Sequence, residues 1–165
     1  MKPPRPLPEA GDLDLAAFTC GNPQLDAWLR QRARTNDAQA FSRVFVLAEQ
    51  RELIGYYTLS AYTIARGSAP RSLRHSAPDP IAAILLGQLA VASSWHGRGV
   101  GASLLQDAVR RFAAAAEIVA ARLLVTHPID APAARFYARH GWTELKASER
   151  PTRYLLLEQV RSALS

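Results

Sequence analysis

Apolar positions along the chain switch between two periods, and the switches predict the elements. In "CGNPQLDAWLRQRARTNDAQA", Asn22 offers a helix cap and Pro23 a first helical residue. Leu25, Trp28, Leu29 and Arg32 then recur at i, i+3, i+4 and i+7, which gives a mostly apolar helix face, with Arg30 and Arg34 on another. "RVFVLAEQRELIGYYTLSAYTIA" is rich in Val, Ile, Tyr and Thr and reads as a hairpin turned near "EQRE". "IAAILLGQLAVA" and "ARLLVTHP" read as buried strands. "VGASLLQDAVRRFAAAAEIVA" reads as a helix whose Leu104, Leu105, Ala108 and Phe112 share a face. Asp130 caps a short helix in "APAARFYARHG", closed by Gly141, and "WTELKA" with "RYLLLEQV" predicts a last strand pair.

The order β, α, β, α, β behind an antiparallel hairpin implies an α/β fold, a mixed sheet with helices on its faces. The 165 residues fit one domain spanning 1–165, and 48% of them are hydrophobic, ordinary for a globular protein. The 11 prolines gather in "MKPPRPLPEAG", expected as an extended arm over about residues 1–11, and in "RGSAPRSLRHSAPDP", where they are expected to forbid regular structure. Cys20 is alone, and neither CxxC nor HExxH spacing occurs, so neither an internal disulfide nor a metal site is expected. No apolar run reaches the ~18 residues of a membrane span, and a cytoplasmic protein without a membrane partner is expected. A net charge of +6 changes the picture more, because it favours polyanionic partners, nucleic acid first. His127 and His140, at a strand end and a helix end, read as structural, and Trp28, Trp95 and Trp142 as core or rim.

The strongest chemical signal is "LAVASSWHGRGVGASLL", where Gly97, Gly99 and Gly101 separate a strand from a helix. Glycine weakens a helix, so three of them here imply a close approach to the backbone. Such a turn presents consecutive N–H groups at a helix N-terminus, where the dipole also favours negative charge, and this makes a phosphate cradle. The chain lacks GxxxxGK[ST] and an acidic residue suitably placed for a dinucleotide fold, so neither a triphosphatase loop nor a Rossmann site fits.

"WHGRGVGASLL" resembles motif A of the GNAT acetyltransferases, written [QR]xxGx[GA]. The resemblance implies that the turn formed by His96, Gly97, Arg98, Gly99, Val100, Gly101 and Ala102 holds the pyrophosphate of acetyl-CoA. His96 departs from the motif's usual Gln or Arg, with a modest effect expected because backbone amides do most of the holding. "LAV" would be the family's splayed strand, with Leu89, Ala90 and Val91 along the pantetheine arm and the Val91 N–H polarising the acetyl carbonyl. "DAPAARFYARHGW" resembles motif B, which adds Asp130, Phe136 and Tyr137 to the cofactor site and makes Tyr137 the proton donor to the leaving thiolate. On spacing alone Tyr137 would simply pack with Phe136. The implied fold is the GNAT fold, a mixed central sheet with a splayed strand pair and helices on both faces.

"FTCGNPQLDAWLRQRA", "GYYTLS", "ILLGQLAV" and "ARFYARHGW" are similar to the TacT-like acetyltransferase toxins of type II toxin-antitoxin pairs, a likeness covering nearly the whole chain. It implies acetylation of the α-amino group of aminoacyl-tRNA, a block of translation, a ribbon-helix-helix antitoxin and a homodimer. The residues agree with it in one respect. "LLGQLAVASS" carries no carboxylate, and Ala92 stands where related toxins tend to carry an acid. A lysine amine near ~10.4 would need help to lose its proton, whereas an α-amine near ~7.7 to 8.0 has a useful neutral fraction already. Arg30, Arg34, Arg71, Arg74, His75, Arg139, Arg150 and Arg153 are the candidate tRNA contacts, arginine being suited to phosphate forks. The alternative is a GNAT enzyme acting on a small-molecule amine or a protein N-terminus.

Overall fold

The computed structural model describes residues 2–165. β1 (Arg5–Pro6) is followed by α1 (Pro23–Ala38), the hairpin β2 (Arg43–Glu49) and β3 (Glu52–Ile64), the short α2 (Arg71–Arg74) and β4 (Ile81–Val91). Then come α3 (Val100–Ala116), β5 (Leu123–Thr126), α4 (Ala131–Arg139), β6 (Thr143–Glu144), β7 (Arg153–Leu156) and α5 (Leu157–Leu164). The strands make a seven-stranded sheet in the order β1-β2-β3-β4-β5-β7-β6. β4 and β5 run parallel, while β1-β2, β2-β3, β5-β7 and β6-β7 run antiparallel, so the sheet is mixed as expected.

The chain divides into two compact units, one running to Ser60 and adding Gly87–Ala108, the other comprising Ala61–Leu86 and Val109–Ser165. In the first, α1 starts where Asn22 accepts from the N–H groups of Gln24 (2.9 Å) and Leu25 (3.2 Å). Its buried Leu25, Leu29 and Ala33 join Val44, Val46 and Tyr56 of the hairpin in one apolar cluster. Tyr56 is buried, and its hydroxyl donates to Leu25 O at 2.8 Å. The opposite face of the hairpin receives α3: a Cβ on Gly55 would meet Leu104 Cδ1 at 2.8 Å and Ala90 O at 2.9 Å. Helices therefore cover both faces here. In the second unit, Ile64, Leu73, Ile81, Ala83, Leu123, Val125 and Leu145 form another apolar cluster.

Several expectations need correction. The proline arm is docked: Arg5 and Pro6 pair with Val46 and Phe45, and a 3-10 turn over Leu7–Glu9 buries Leu7. Proline is tolerated there because an edge strand and a first turn leave its missing N–H unneeded. Arg32 is exposed, and the buried stripe of α1 instead adds Asp26, Ala33 and Asp37. The buried aspartates earn their place by accepting backbone N–H groups, Cys20 to Asp26 (3.0 Å) and Val44 to Asp37 (2.8 Å). The second proline-rich stretch carries a 3-10 turn at Arg66–Ser68 and the turn α2, whose buried Leu73 anchors it. β4 is buried only at alternate positions along its first half, with Ala82 and Gly87 exposed. α3 stops at Ala116, leaving Ile118 (85%) and Val119 (72%) exposed. Finally, "RYLLLEQV" is a strand only to Leu156, where Gln159 accepts the Leu156 N–H at 2.8 Å and α5 begins. Period 2 and period 3.6 coincide over so short an apolar run.

Candidate active site

In the first unit, β4 ends at Val91 and a 3-10 turn, Ser93–Trp95, leads to the glycines. Gly97 (φ +76°) and Gly99 (φ +77°) both adopt the left-handed region, and a Cβ at either would meet nothing within 4 Å. The glycines are there for the backbone bend and for open space above it. The Ser103 N–H bonds Gly99 O at 3.1 Å, closing the first turn of α3, so the amides of Val100, Gly101 and Ala102 precede any helical acceptor. Such an arrangement of amides can receive an anion. His96 fastens the turn: its Nε2–H donates to Val91 O at 2.8 Å, tying it to the strand end. Trp95 Nε1 donates to Glu52 at 3.2 Å, and the Arg98 guanidinium sits 4.7 Å from the Trp95 ring centre. The cradle residues thus fit a pyrophosphate-bearing cofactor, with Arg98 as an exposed cation beside them.

In the second unit, β4 pairs with β5 only from Ala83 to Leu86, against Leu123 to Thr126. The remainder of β4, with Leu89, Ala90 and Val91, has no β5 partner, which is the expected splayed strand. The carboxyl ends of adjacent parallel strands are where α/β sheets place ligands. β5 ends there with Thr126, whose hydroxyl donates to Leu86 O at 2.9 Å. Beside Thr126 lies Tyr137 on α4, a helix that Asp130 caps by accepting the Ala133 N–H at 2.8 Å. Tyr137 is 6% exposed and packed against Phe136 and Trp142. Burial pushes its phenol up to about 12, with the Thr126 hydroxyl acting the other way. The group is a protonated phenol at neutral pH, able to donate. Since a thiolate's reference is near ~8.5, that transfer runs uphill unless the phenolate is held, and Thr126 can turn its hydrogen from Leu86 O to do so.

His127 follows Thr126 and is engaged at both nitrogens, by Tyr62 Oη (3.2 Å) and Thr152 Oγ1 (3.0 Å). Burial and the nearby Arg150 charge lower its pKa, so the ring is neutral. His140 is structural, its Nδ1 donating to Phe136 O at 2.8 Å near the end of α4. Cys20 is buried and its thiol is pushed up to about 11 by burial, which makes it unreactive.

The candidate tRNA contacts are spread over both units. Arg30 and Arg34 lie exposed on α1 in the first, with Arg34 reaching Leu13 O at 3.5 Å. In the second, Arg71, Arg74 and His75 are exposed together on and after α2, Arg139 ends α4, and Arg150 precedes β7. Arg74 donates to Ala69 O (2.9 Å) and half-buried Arg153 to Trp142 O (3.2 Å), which ties both to their own backbone. Sequence reasoning missed Thr126, Tyr62 and Thr152. The one signal available was "LLVTH", an apolar strand that turns polar at its carboxyl end.

The first unit thus carries a glycine turn that can receive an anion after the end of β4, and the second a buried phenol on the helix after β5. The chain belongs to the GNAT family: the acetyltransferase (GNAT) domain matches residues 40–144. It is an acetyl-CoA-dependent acetyltransferase. It is 34% identical over 161 residues, 98% of this chain and 95% of the relative, to a tRNA-acetylating toxin of Mycobacterium tuberculosis (strain ATCC 25618 / H37Rv). Its fold is similar to that of AtaT complexed with acetyl-methionyl-tRNAfMet (TM-score 0.90, 24% identity, 98% of each chain). It is similar also to a tyrosine-to-phenylalanine mutant of the AtaT toxin bound to the C-terminus of the antitoxin AtaR and acetyl-CoA (TM-score 0.84, 22% identity, 98% and 97% of the chains).

Proposed function

We propose that this protein is a toxin that transfers acetyl from acetyl-CoA to the α-amino group of aminoacyl-tRNA and so blocks translation. The observation that carries the reading is the kinship, along nearly the whole chain, with the mycobacterial tRNA-acetylating toxin. The carboxylate-free strand end and the net charge of +6 support the same acceptor, a weakly basic amine on a polyanion. Acetyl-CoA supplies an acyl group activated as a thioester. The amides from Gly97 to Ala102 bind its pyrophosphate, Leu89 to Val91 align its arm, the Val91 N–H polarises the carbonyl, and Phe136 and Asp130 shape the wall. Tyr137 gives its proton to the departing sulfur. Arg30, Arg71, His75, Arg139 and Arg150 hold phosphates of the tRNA, with Arg34, Arg74 and Arg153 as weaker contributors because they already serve their own backbone. A ribbon-helix-helix antitoxin neutralises the toxin, which acts as a homodimer in the cytoplasm.

The test is to incubate the protein with labelled acetyl-CoA and a pool of charged tRNA, beside uncharged tRNA and a panel of free amines. Label on charged tRNA, released as an N-acetyl amino acid on ester hydrolysis, is expected. Label on free amines alone would keep the enzyme class and overturn the toxin reading.

A further inference from the structure

Acetyl transfer needs two proton sites, one at the departing sulfur and one at the attacking nitrogen. The end of β5 separates two groups: Thr126, its last residue, lies beside Tyr137, while His127, the next one, meets Tyr62 and Thr152. Around His127 one assignment of the hydrogens serves Arg150 O, which can only accept. Thr152 donates its single hydrogen to Arg150 O (2.9 Å), so its oxygen receives the hydrogen of His127 Nδ1 (3.0 Å). Ser148 Oγ, 2.9 Å from Thr152 Oγ1, donates to the same oxygen. His127 Nε2 is therefore bare, and Tyr62 O–H donates to it across 3.2 Å. Tyr62 in turn lines a cavity of about 460 Å³ within the second unit, whose walls include Ile64, Val125, Leu145 and Thr152. A half-buried hydroxyl backed by a bare imidazole nitrogen and open on a cavity is a proton acceptor awaiting a donor.

We propose that Tyr62 and His127 together take the proton of the acceptor amine, which enters this cavity. Tyr62 is the catalytic residue, His127 acts through it, and Thr152 is a positioning residue that fixes the tautomer. The proposal rests on the acetyl-transfer reading above. The ammonium form of the acceptor gives one proton to Tyr62 O while the Tyr62 hydrogen moves to His127 Nε2; the neutral nitrogen then bonds to the acetyl carbon and loses its second proton to solvent as the carbon–sulfur bond breaks. The imidazole holds the positive charge, and Tyr137 protonates the sulfur. Loss of the imidazolium proton to solvent and reprotonation of Tyr137 reset the site. The groups around the ring are Tyr62 from β3, Tyr154 from β7 opposite Val125, and Arg150 and Glu149 from the connection before β7. Burial and Arg150 keep the imidazole neutral and ready to accept.

The experiment compares the full-length protein with His127→Gln, Tyr62→Phe and the double variant, from mildly acidic to mildly alkaline pH, on whichever amine the parent acetylates. Each single change is expected to lower kcat on the order of 10²-fold at mildly acidic pH without changing the KM for acetyl-CoA. The deficit should shrink as pH rises, because an α-amine near ~7.7 to 8.0 then arrives neutral, and the double variant should be no slower than the slower single. A deficit constant with pH, factors that multiply in the double variant, or unchanged turnover would each overturn the pair. Tyr62→Phe removes one oxygen and keeps the ring, so it carries the test if His127→Gln folds poorly. Should charged tRNA take no label while a free amine does, the toxin reading fails, and the same pH comparison on that amine decides the proton acceptor separately.

Discussion

Tyr137 carries two predictions at the scale of single residues. Its phenol is the proposed proton source for the sulfur, so Tyr137→Phe is expected to keep acetyl-CoA binding by calorimetry and lower turnover on the order of 10² or more. Unchanged turnover would remove it from the mechanism. Thr126→Val should act through it, lowering kcat with little change in KM and pushing the phenol still higher, readable by ultraviolet titration. Linkage also sets a sign. A phenol held at about 12 when folded, against a reference near ~10, contributes stability that is fully present below the unfolded value and is lost as pH rises through the folded one. Melting curves should therefore fall more steeply above about pH 10 in the parent than in Tyr137→Phe.

At the scale of elements, the junction of β4 and α3 is the proposed binding turn, and the hairpin beside it sets the packing. Gly99→Glu would place a carboxylate among amides that favour an anion, on a backbone at φ +77°, and should abolish acetyl-CoA binding. Tight binding by calorimetry would disprove the cradle. Gly55 is a different case, since its neighbour at 2.9 Å is the carbonyl of Ala90 and cannot swing aside. Gly55→Ala should cost about 1–3 kcal/mol in denaturant unfolding, because β3 must move from β4 or α3. No cost would mean that the sheet gives there freely.

At the scale of the whole molecule, charge decides the partner's behaviour. If tRNA is the acceptor, its KM should climb steeply with salt because bound phosphates release counterions, while a small neutral amine is little affected. Flat salt dependence would argue against phosphate contacts. The basic residues are spread over both units and several are exposed, so loss of a single one, such as Arg71 or Arg139, should weaken tRNA binding modestly and leave acetyl-CoA binding unchanged.

Local rules decided much of this protein, and those parts were legible in the sequence. Asn22, Asp130 and Gly141 mark helix ends because caps satisfy backbone groups within a few residues, and Gly97 and Gly99 announce a bend that disfavours a side chain. The glycine turn could be located in this way, whereas Tyr137 was singled out only by the resemblance to motif B. Other features depended on contacts between distant segments. The proline arm looked free until β2 offered it an edge, and Leu157 to Val160 read as strand until β7 had used its pairing partners. The proton acceptor is the clearest instance: Tyr62, His127 and Thr152 lie far apart along the chain, and no spacing links them. Only the sheet register and the loop before β7 bring them together, and the bare nitrogen is assigned from the donor count at Thr152. Periodicity and turn chemistry act over a few residues, whereas a hydrogen-bond chain across three elements exists only once tertiary packing has closed it.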